Sequence, residues 1–331
     1  MTNDSDFEFH KTNIEDLVED GKSLINLPNF PKDNLGQFYT RNDKMGWWMP
    51  IKQIIIRDYI DFYLAIMAKN LPKVKLYFID LMCSWGMNRI TKYEGRDEFI
   101  FPGTSFNAAL ISSRSPKSFD KFFVNDLDYK KREILKKRFE SINTLYDDPL
   151  EINISIEEKK VNSNQWVIEI VNSLKNEFSN YLMVIDNEGM DIELDTIKKI
   201  REIDNYGDII ITFQNNIART IKQSPEKTRK FFGRPIKPNE INKEKLTEIY
   251  VEQLKRMGLQ LEQIRVDSGI GFFYTLLFCC RSNVSAKWLR RYKEYSENQF
   301  KNFTGERLKS FWDRATGRVN GLDKYIFKNK S

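Results

Sequence analysis

The chain has 331 residues, 40% hydrophobic and 13% aromatic, with 30% charged side chains and a formal net charge of +6, enough for one large core or two small ones. Three cysteines, two of them adjacent (Cys279, Cys280), exclude a disulfide framework or a zinc site built on cysteine alone, and the only histidine, His10, lies in a polar acidic stretch, which excludes His-based triads and His-ligated metals. No early apolar stretch reads as a leader and no apolar run is long enough to span a bilayer, so a cytoplasmic protein without membrane partners is expected.

Residues 1–46 read as a polar N-terminal arm, loose over 1–43. In "WWMPIKQIIIRDYIDFYLAIMAKN" the apolar residues Ile51, Ile54, Ile55, Tyr59, Phe62, Tyr63 and Ile66 recur at helical spacing, and Pro72 ends that helix. The runs "LYFID", "KFFVND", "INISI", "YLMVID" and "DIIITF" then suit buried parallel strands, separated by helical stretches such as "TSFNAALISS" and "YKKREILKKRFESI". That alternation predicts a doubly wound α/β domain over 47–295. Residues 217–257 form a basic and helical insertion, and 296–331 a basic C-terminal tail. "LQLEQIRVD" and "FFYTLLFCC", joined by "SGIG" at Ser268–Gly271, read as an antiparallel hairpin. A seven-stranded, mostly parallel sheet closed by such a hairpin is the Rossmann-like fold of S-adenosylmethionine (SAM) methyltransferases.

Ligands of such sheets sit at the carboxyl ends of the strands, at the switch in strand order. Polar residues recur there. Asp80 ends the first strand and opens a turn, Met82, Cys83, Ser84 and Gly86, where backbone would approach SAM. Asp126 is placed to accept hydrogen bonds from two ribose hydroxyls, and Asn162 or Ser163 to meet the adenine edge. The plain alternative is that Asp126 and Asp128 cap the following helix. Cys279 and Cys280, neighbours in an apolar strand, are expected to pack on opposite faces.

The order of these motifs resembles that of the three-Cys-motif partner proteins, a family of bacterial and archaeal methyltransferase-like proteins. The resemblance runs from about Trp48 to Tyr295, on "IKQIIIRDYIDFY", "YFIDLMCSWG", "PGTSFNAAL", "YLMVIDNEGMDIELDTIKKI", "DIIITFQNNIAR" and "YVEQLKRMGLQ…FYTLLFCCRSN". It implies SAM as cofactor and an iron–sulfur-type three-Cys-motif protein as partner. Where the family has Asp-Pro-Phe-Gly, similar to tRNA guanosine N2-dimethyltransferases, this chain has Asp186, Asn187, Glu188 and Gly189, so the resemblance implies catalysis there and methylation of a nucleobase amine. Ser84 and Trp85 stand for a family Gly and Pro, and Asn187 and Glu188 for the Pro and aromatic.

Between 217 and 237 seven basic residues face a single acid, and Arg219, Lys222, Arg229, Lys230 and Arg234 are the expected nucleic-acid contacts. "KWLRRYKEY" adds aromatics that could stack on bases. Solvated faces are the plain alternative. The function expected is SAM-dependent methylation acting on or binding nucleic acid, active or degenerate. Two alternatives stay open: a non-catalytic scaffold subunit working with another protein in a defence or modification system, and a Mg²⁺ hydrolase using Asp186 and Glu188.

Overall fold

The computed structural model describes residues 4–39, 48–91, 98–155, 159–187, 189–203, 207–214, 217–267, 273–281 and 283–300. In chain order the elements are α1 (Asp4–Ile25), β1 (Gly36–Tyr39), α2 (Trp48–Asn70), β2 (Lys75–Asp80), β3 (Met87–Thr91), β4 (Glu98–Pro102), α3 (Thr104–Arg114), β5 (Lys121–Val124), α4 (Tyr129–Ile142) and β6 (Glu151–Asn153). They continue as α5 (Ser163–Leu174), β7 (Ser179–Ile185), α6 (Leu194–Ile203), β8 (Gly207–Gln214), α7 (Ala218–Gln223), α8 (Pro225–Phe232), α9 (Lys243–Arg256), β9 (Gln260–Asp267), β10 (Phe273–Cys280) and α10 (Asn283–Phe300).

Seven strands form the main sheet in the order β6-β5-β2-β7-β8-β10-β9. β10 runs antiparallel to both its neighbours, and the remaining pairs are parallel. This is the Rossmann-like methyltransferase sheet expected from the sequence; the expected turn at 268–271 lies outside the described residues. The strand runs are apolar at nearly every position because both faces are covered. Leu76, Phe78, Val184 and Phe278 pack with α1, α2, α3 and α10, whereas Tyr77, Ile79, Ile185 and Leu277 pack with α5, α6, α8 and α9. Cys280 belongs to the first face and Cys279 to the second, as strand alternation requires.

Helix starts follow side-chain chemistry. Asp128 caps α4, Asn162 caps α5 and Asn242 caps α9, each accepting from backbone N–H groups of the first turn.

Two expectations need correction. Over its described residues, 4–39, the N-terminal stretch is not a loose arm: residues 4–25 form α1, whose Ile14, Leu17, Val18 and Leu24 are buried in the core. α1 lies so close to β4 that a side chain on Gly21 would sit 2.2 Å from the Ile100 carbonyl oxygen. β4 in turn belongs to a second sheet, β1-β3-β4, also not expected, in which β3 and β4 are inserted between β2 and α3 and β1 comes from the stretch between α1 and α2. The polar appearance of α1 comes from its outer face; its apolar positions recur at 14, 17, 18 and 24. The second correction concerns "KWLRRYKEY". Two of its aromatics are not free to stack on bases, because Trp288 and Tyr292 pack against Tyr59 and Phe62 of α2, and the Tyr292 hydroxyl donates to the Ile55 carbonyl at 2.9 Å, whereas Tyr295 stays exposed. α10 continues to Phe300, buried beside Phe9 and His10, so the basic tail does not begin at 296.

One charged cluster ties α1 to this frame. Buried Asp20 pairs with Arg57 of α2 and Arg114 of α3, both at 2.6 Å. Removing the acid would leave Arg57 largely buried and unneutralised. Asp20→Ala is expected to lower unfolding free energy by about 3 kcal/mol in urea titration. A loss below about 0.5 kcal/mol, the scale of an exposed pair, would show that apolar contacts alone hold α1.

Candidate functional site

The carboxyl ends of β2, β5 and β7 meet where the chain order of the sheet reverses, and a cleft of about 420 Å³ opens there. Met82, Ser84, Asp126, Asn162 and Asp186, all singled out in the sequence, border it. A smaller cavity of about 50 Å³ adjoins it, bordered by Asp80, Cys83 and Gly86 and sharing Met82, Ser84 and Asp186 with the cleft.

The turn after β2 is built for close approach. Gly86 has φ +72°, and a β-carbon there would collide with the Phe106 side chain at 2.5 Å. Ser84 adopts the same left-handed region, φ 51°, without being glycine, a strained conformation that its surroundings impose. Its N–H donates to Asp126 Oδ2 at 3.1 Å, and the Cys83 N–H donates to the Asn125 carbonyl at 3.0 Å. Asp126 Oδ1 accepts from the Asp128 N–H at 2.9 Å. It is therefore Asp128 that caps α4, while Asp126 ties the turn to the end of β5. An ionised carboxylate offers about four lone-pair sites, so two backbone donors leave capacity for a diol. Lys131 Nζ lies 3.5 Å from the same carboxylate. Cys83 is buried, its thiol donating to the Asn125 carbonyl at 2.9 Å, and burial raises its pKa well above the usual value.

Asp80 is buried behind the turn. Ser105 Oγ donates to it at 2.6 Å and the Met82 N–H at 3.2 Å, yet burial dominates and pushes its pKa up to about 7. Asp186 is held by Lys52 at 2.5 Å. Asn187, expected at the reacting centre, borders neither cavity. It is fully buried, and its Oδ1 accepts from the Asp191 N–H at 2.9 Å, which shapes the loop after β7. Gly189 also borders neither cavity, and Glu188 lies outside the described residues.

Lys52, Gln53, Lys131, Asn164 and Asp191 border these cavities and were not singled out in the sequence. Lys52 carried a usable signal: it stands three and seven residues before the buried Ile55 and Tyr59, on the apolar stripe of α2. Lys131 and Asp191 carried none, being ordinary polar residues beside a helix start.

The basic segment 217–237 is less free than its composition suggests. Arg229 pairs with Glu226, Lys230 with Glu193 and Lys227 with Asp191, all exposed, while Arg234 forms a two-pronged, partly buried pair with Glu240. Lys222 is exposed on α7, which also carries Arg219.

No protein-family model matches the chain, and no curated protein matches it. Solved structures match at low identity. A Legionella pneumophila protein of the family model DUF519 is 12% identical with TM-score 0.48, over 76% of this chain and 93% of its own. Trm1 of Pyrococcus horikoshii, solved with S-adenosyl-L-methionine, is 12% identical with TM-score 0.38, over 71% of this chain and 57% of its own. An O-methyltransferase from Bacillus cereus, solved in complex with SAH, is 10% identical with TM-score 0.35, over 81% of this chain and 99% of its own. The fold assignment rests on the strand order and pairing described above. Among the described residues, no helix is long and apolar enough to cross a membrane.

Asp80 makes the site pH-sensitive. Its folded pKa, about 7, lies above its ordinary 3.8, so the folded state holds the proton more tightly. The stability this confers is full below the unfolded value and is lost as pH rises through about 7. Asp58 (about 6) and Asp208 (about 7) act in the same direction. Thermal melts should therefore show wild type losing stability relative to Asp80→Asn between pH 5 and pH 8. Parallel curves for the two proteins over that range would mean that Asp80 ionises at its ordinary value.

Proposed function

We propose that the chain binds S-adenosylmethionine in the cleft at the carboxyl ends of β2, β5 and β7 and is a methyltransferase. The observation that carries this reading is the tie between the strained turn and Asp126: a backbone loop brought up to the cleft beside a carboxylate with lone pairs to spare. Asp126 would hold the ribose hydroxyls, and Asn162 and Asn164 would meet the base. The glycine turn and Asp80 would shape the amino-acid end. When bound, SAM supplies an electrophilic methyl group. Asp186 would accept a hydrogen bond from the acceptor and orient its lone pair. Transfer needs alignment more than acid–base power, so a site without histidine suffices.

Isothermal titration calorimetry with SAM and S-adenosylhomocysteine tests this directly. Wild type should bind both, and Asp126→Ala should bind about 1.5–3 kcal/mol more weakly, the range for hydrogen bonds to a charged group. No binding at millimolar ligand would favour the scaffold reading, with a three-Cys-motif protein, as the sequence resemblance implies, the partner to seek by co-purification. Equal binding by the two proteins would reject the role of Asp126 alone.

For the acceptor we propose nucleic acid, held by Arg219, Lys222, Arg229 and Lys230. Exposed ion pairs such as Arg229–Glu226 and Lys230–Glu193 contribute at most about 1 kcal/mol, so a polyanion that releases counterions can replace them. Arg234 is left out of the contact set, because its pair with Glu240 braces the segment itself. Affinity for an RNA or DNA oligonucleotide should fall steeply with salt. Reversing Lys222, Arg229 and Lys230 to Glu should weaken binding and flatten the salt slope while SAM affinity stays unchanged. A reversal variant that binds as well as wild type would remove nucleic acid from this face.

A further inference from the structure

We infer that Lys52 is an exchangeable cation: it recognises the carboxylate at the amino-acid end of the methyl donor, and that exchange releases Asp186 to the acceptor. The inference rests on the cofactor reading above and adds a residue and a coupling to it. Lys52 borders only the small cavity, whereas Asp186 borders both the small cavity and the cleft. Among the described residues around the small cavity, Lys52 is the one cation.

The two partners are unequally placed. The Lys52 side chain is 5% exposed and that of Asp186 is 21% exposed. A buried ammonium has to keep an anionic partner. Asp186 can turn to the cleft and its solvent, but Lys52 has no such exit. When a second carboxylate enters the small cavity, it is Asp186 that leaves. Gly103 precedes α3 at the wall of this cavity and offers no side chain to the first turn of the helix, so backbone donors there add to the attraction for an anion. Gln53, next to Lys52, bonds to Thr104 and Asn107 of α3, which fixes the height of Lys52 over that wall.

Two ligands separate this role from general support of the fold. S-adenosylhomocysteine carries the amino-acid end; 5′-methylthioadenosine has the same nucleoside and thioether without it. In calorimetry, Lys52→Met should weaken S-adenosylhomocysteine about 10- to 100-fold, the equivalent of one charge-assisted bond. The same variant should change 5′-methylthioadenosine by less than about twofold, within the scatter of a lost non-contact. Lys52→Arg should restore most of the loss. Asp186→Asn should tighten S-adenosylhomocysteine several-fold, because it removes the competitor for Lys52, and should leave 5′-methylthioadenosine unchanged. Where Lys52→Met alone misfolds, the double variant Lys52→Met/Asp186→Asn keeps the site neutral and should show the same selective loss. Equal weakening of both ligands, or weaker binding of S-adenosylhomocysteine by Asp186→Asn, overturns the inference while leaving the cofactor reading standing. Failure of wild type to bind either ligand overturns both.

Discussion

Two buried guanidinium groups on α4 hold the working edge of this protein in place. Arg132 is fully buried and donates to four backbone carbonyls, those of Asp126 and Leu127 at 2.6 and 3.1 Å and those of Ser155 and Lys159 at 2.8 and 2.6 Å. It thereby fixes the loop after β5 against the segment after β6. Six residues on, Arg138 donates to the carbonyls of Pro31, Asp33 and Trp85, so the chain leaving α1 is tied to the turn after β2. Burial lowers the Arg138 pKa to about 10, still far above neutrality, so the group stays charged. Breaking either hub would expose several buried carbonyls at once, a larger loss than any single pair.

The same edge explains how an inserted hairpin leaves the site undisturbed. β3 and β4 depart just after Gly86 and return at Gly103, whose N–H donates to the Gly86 carbonyl at 2.7 Å. A side chain at Gly103 would lie 2.9 Å from that oxygen, so the approach depends on glycine. The insertion closes on itself at that bond, and α3 begins at the next residue, Thr104. Ser105 therefore still reaches Asp80, and the strand-turn-helix geometry survives.

The main sheet was legible in the sequence because its signal is local: short Ile-, Val- and Phe-rich runs bounded by polar ends, with a hairpin at the finish. The ends of those runs also located Asp80, Asp126, Asn162 and Asp186 at one edge, and the structure places them there. What escaped depends on partners distant in the chain. Arg132 and Arg138 look like surface cations of "YKKREILKKRFESI" until the carbonyls they bind are known. Lys227 and Lys230 look like free positive charge until Asp191 and Glu193 are brought to them. Asn187 is a site residue by the resemblance at Asp-Pro-Phe-Gly, yet its side chain is buried and accepts from the Asp191 N–H four residues on. Local pattern reveals elements; long-range pairing decides which polar groups are left for function.

That accounting changes how the cleft should be seen electrostatically. Asp126, Asp186 and Asp191 border it, with Asp80 behind the turn, against Lys131 within the cleft and Lys52 at its inner end. Each lysine sits on a carboxylate, Lys131 on Asp126 and Lys52 on Asp186, and Asp191 is met by Lys227, so the site is near balance rather than strongly acidic. Near balance suits a ligand that carries both signs. A sulfonium and an ammonium can be met by carboxylates, and a carboxylate by Lys52, with no net charge moved out of water that is not met by an opposite one. A simple nucleotide would bring only negative charge to a cleft whose two lysines are already engaged by carboxylates. On the proposed reading, the balance of charges would favour S-adenosylmethionine over a nucleotide, a choice that strand order and turn geometry do not make.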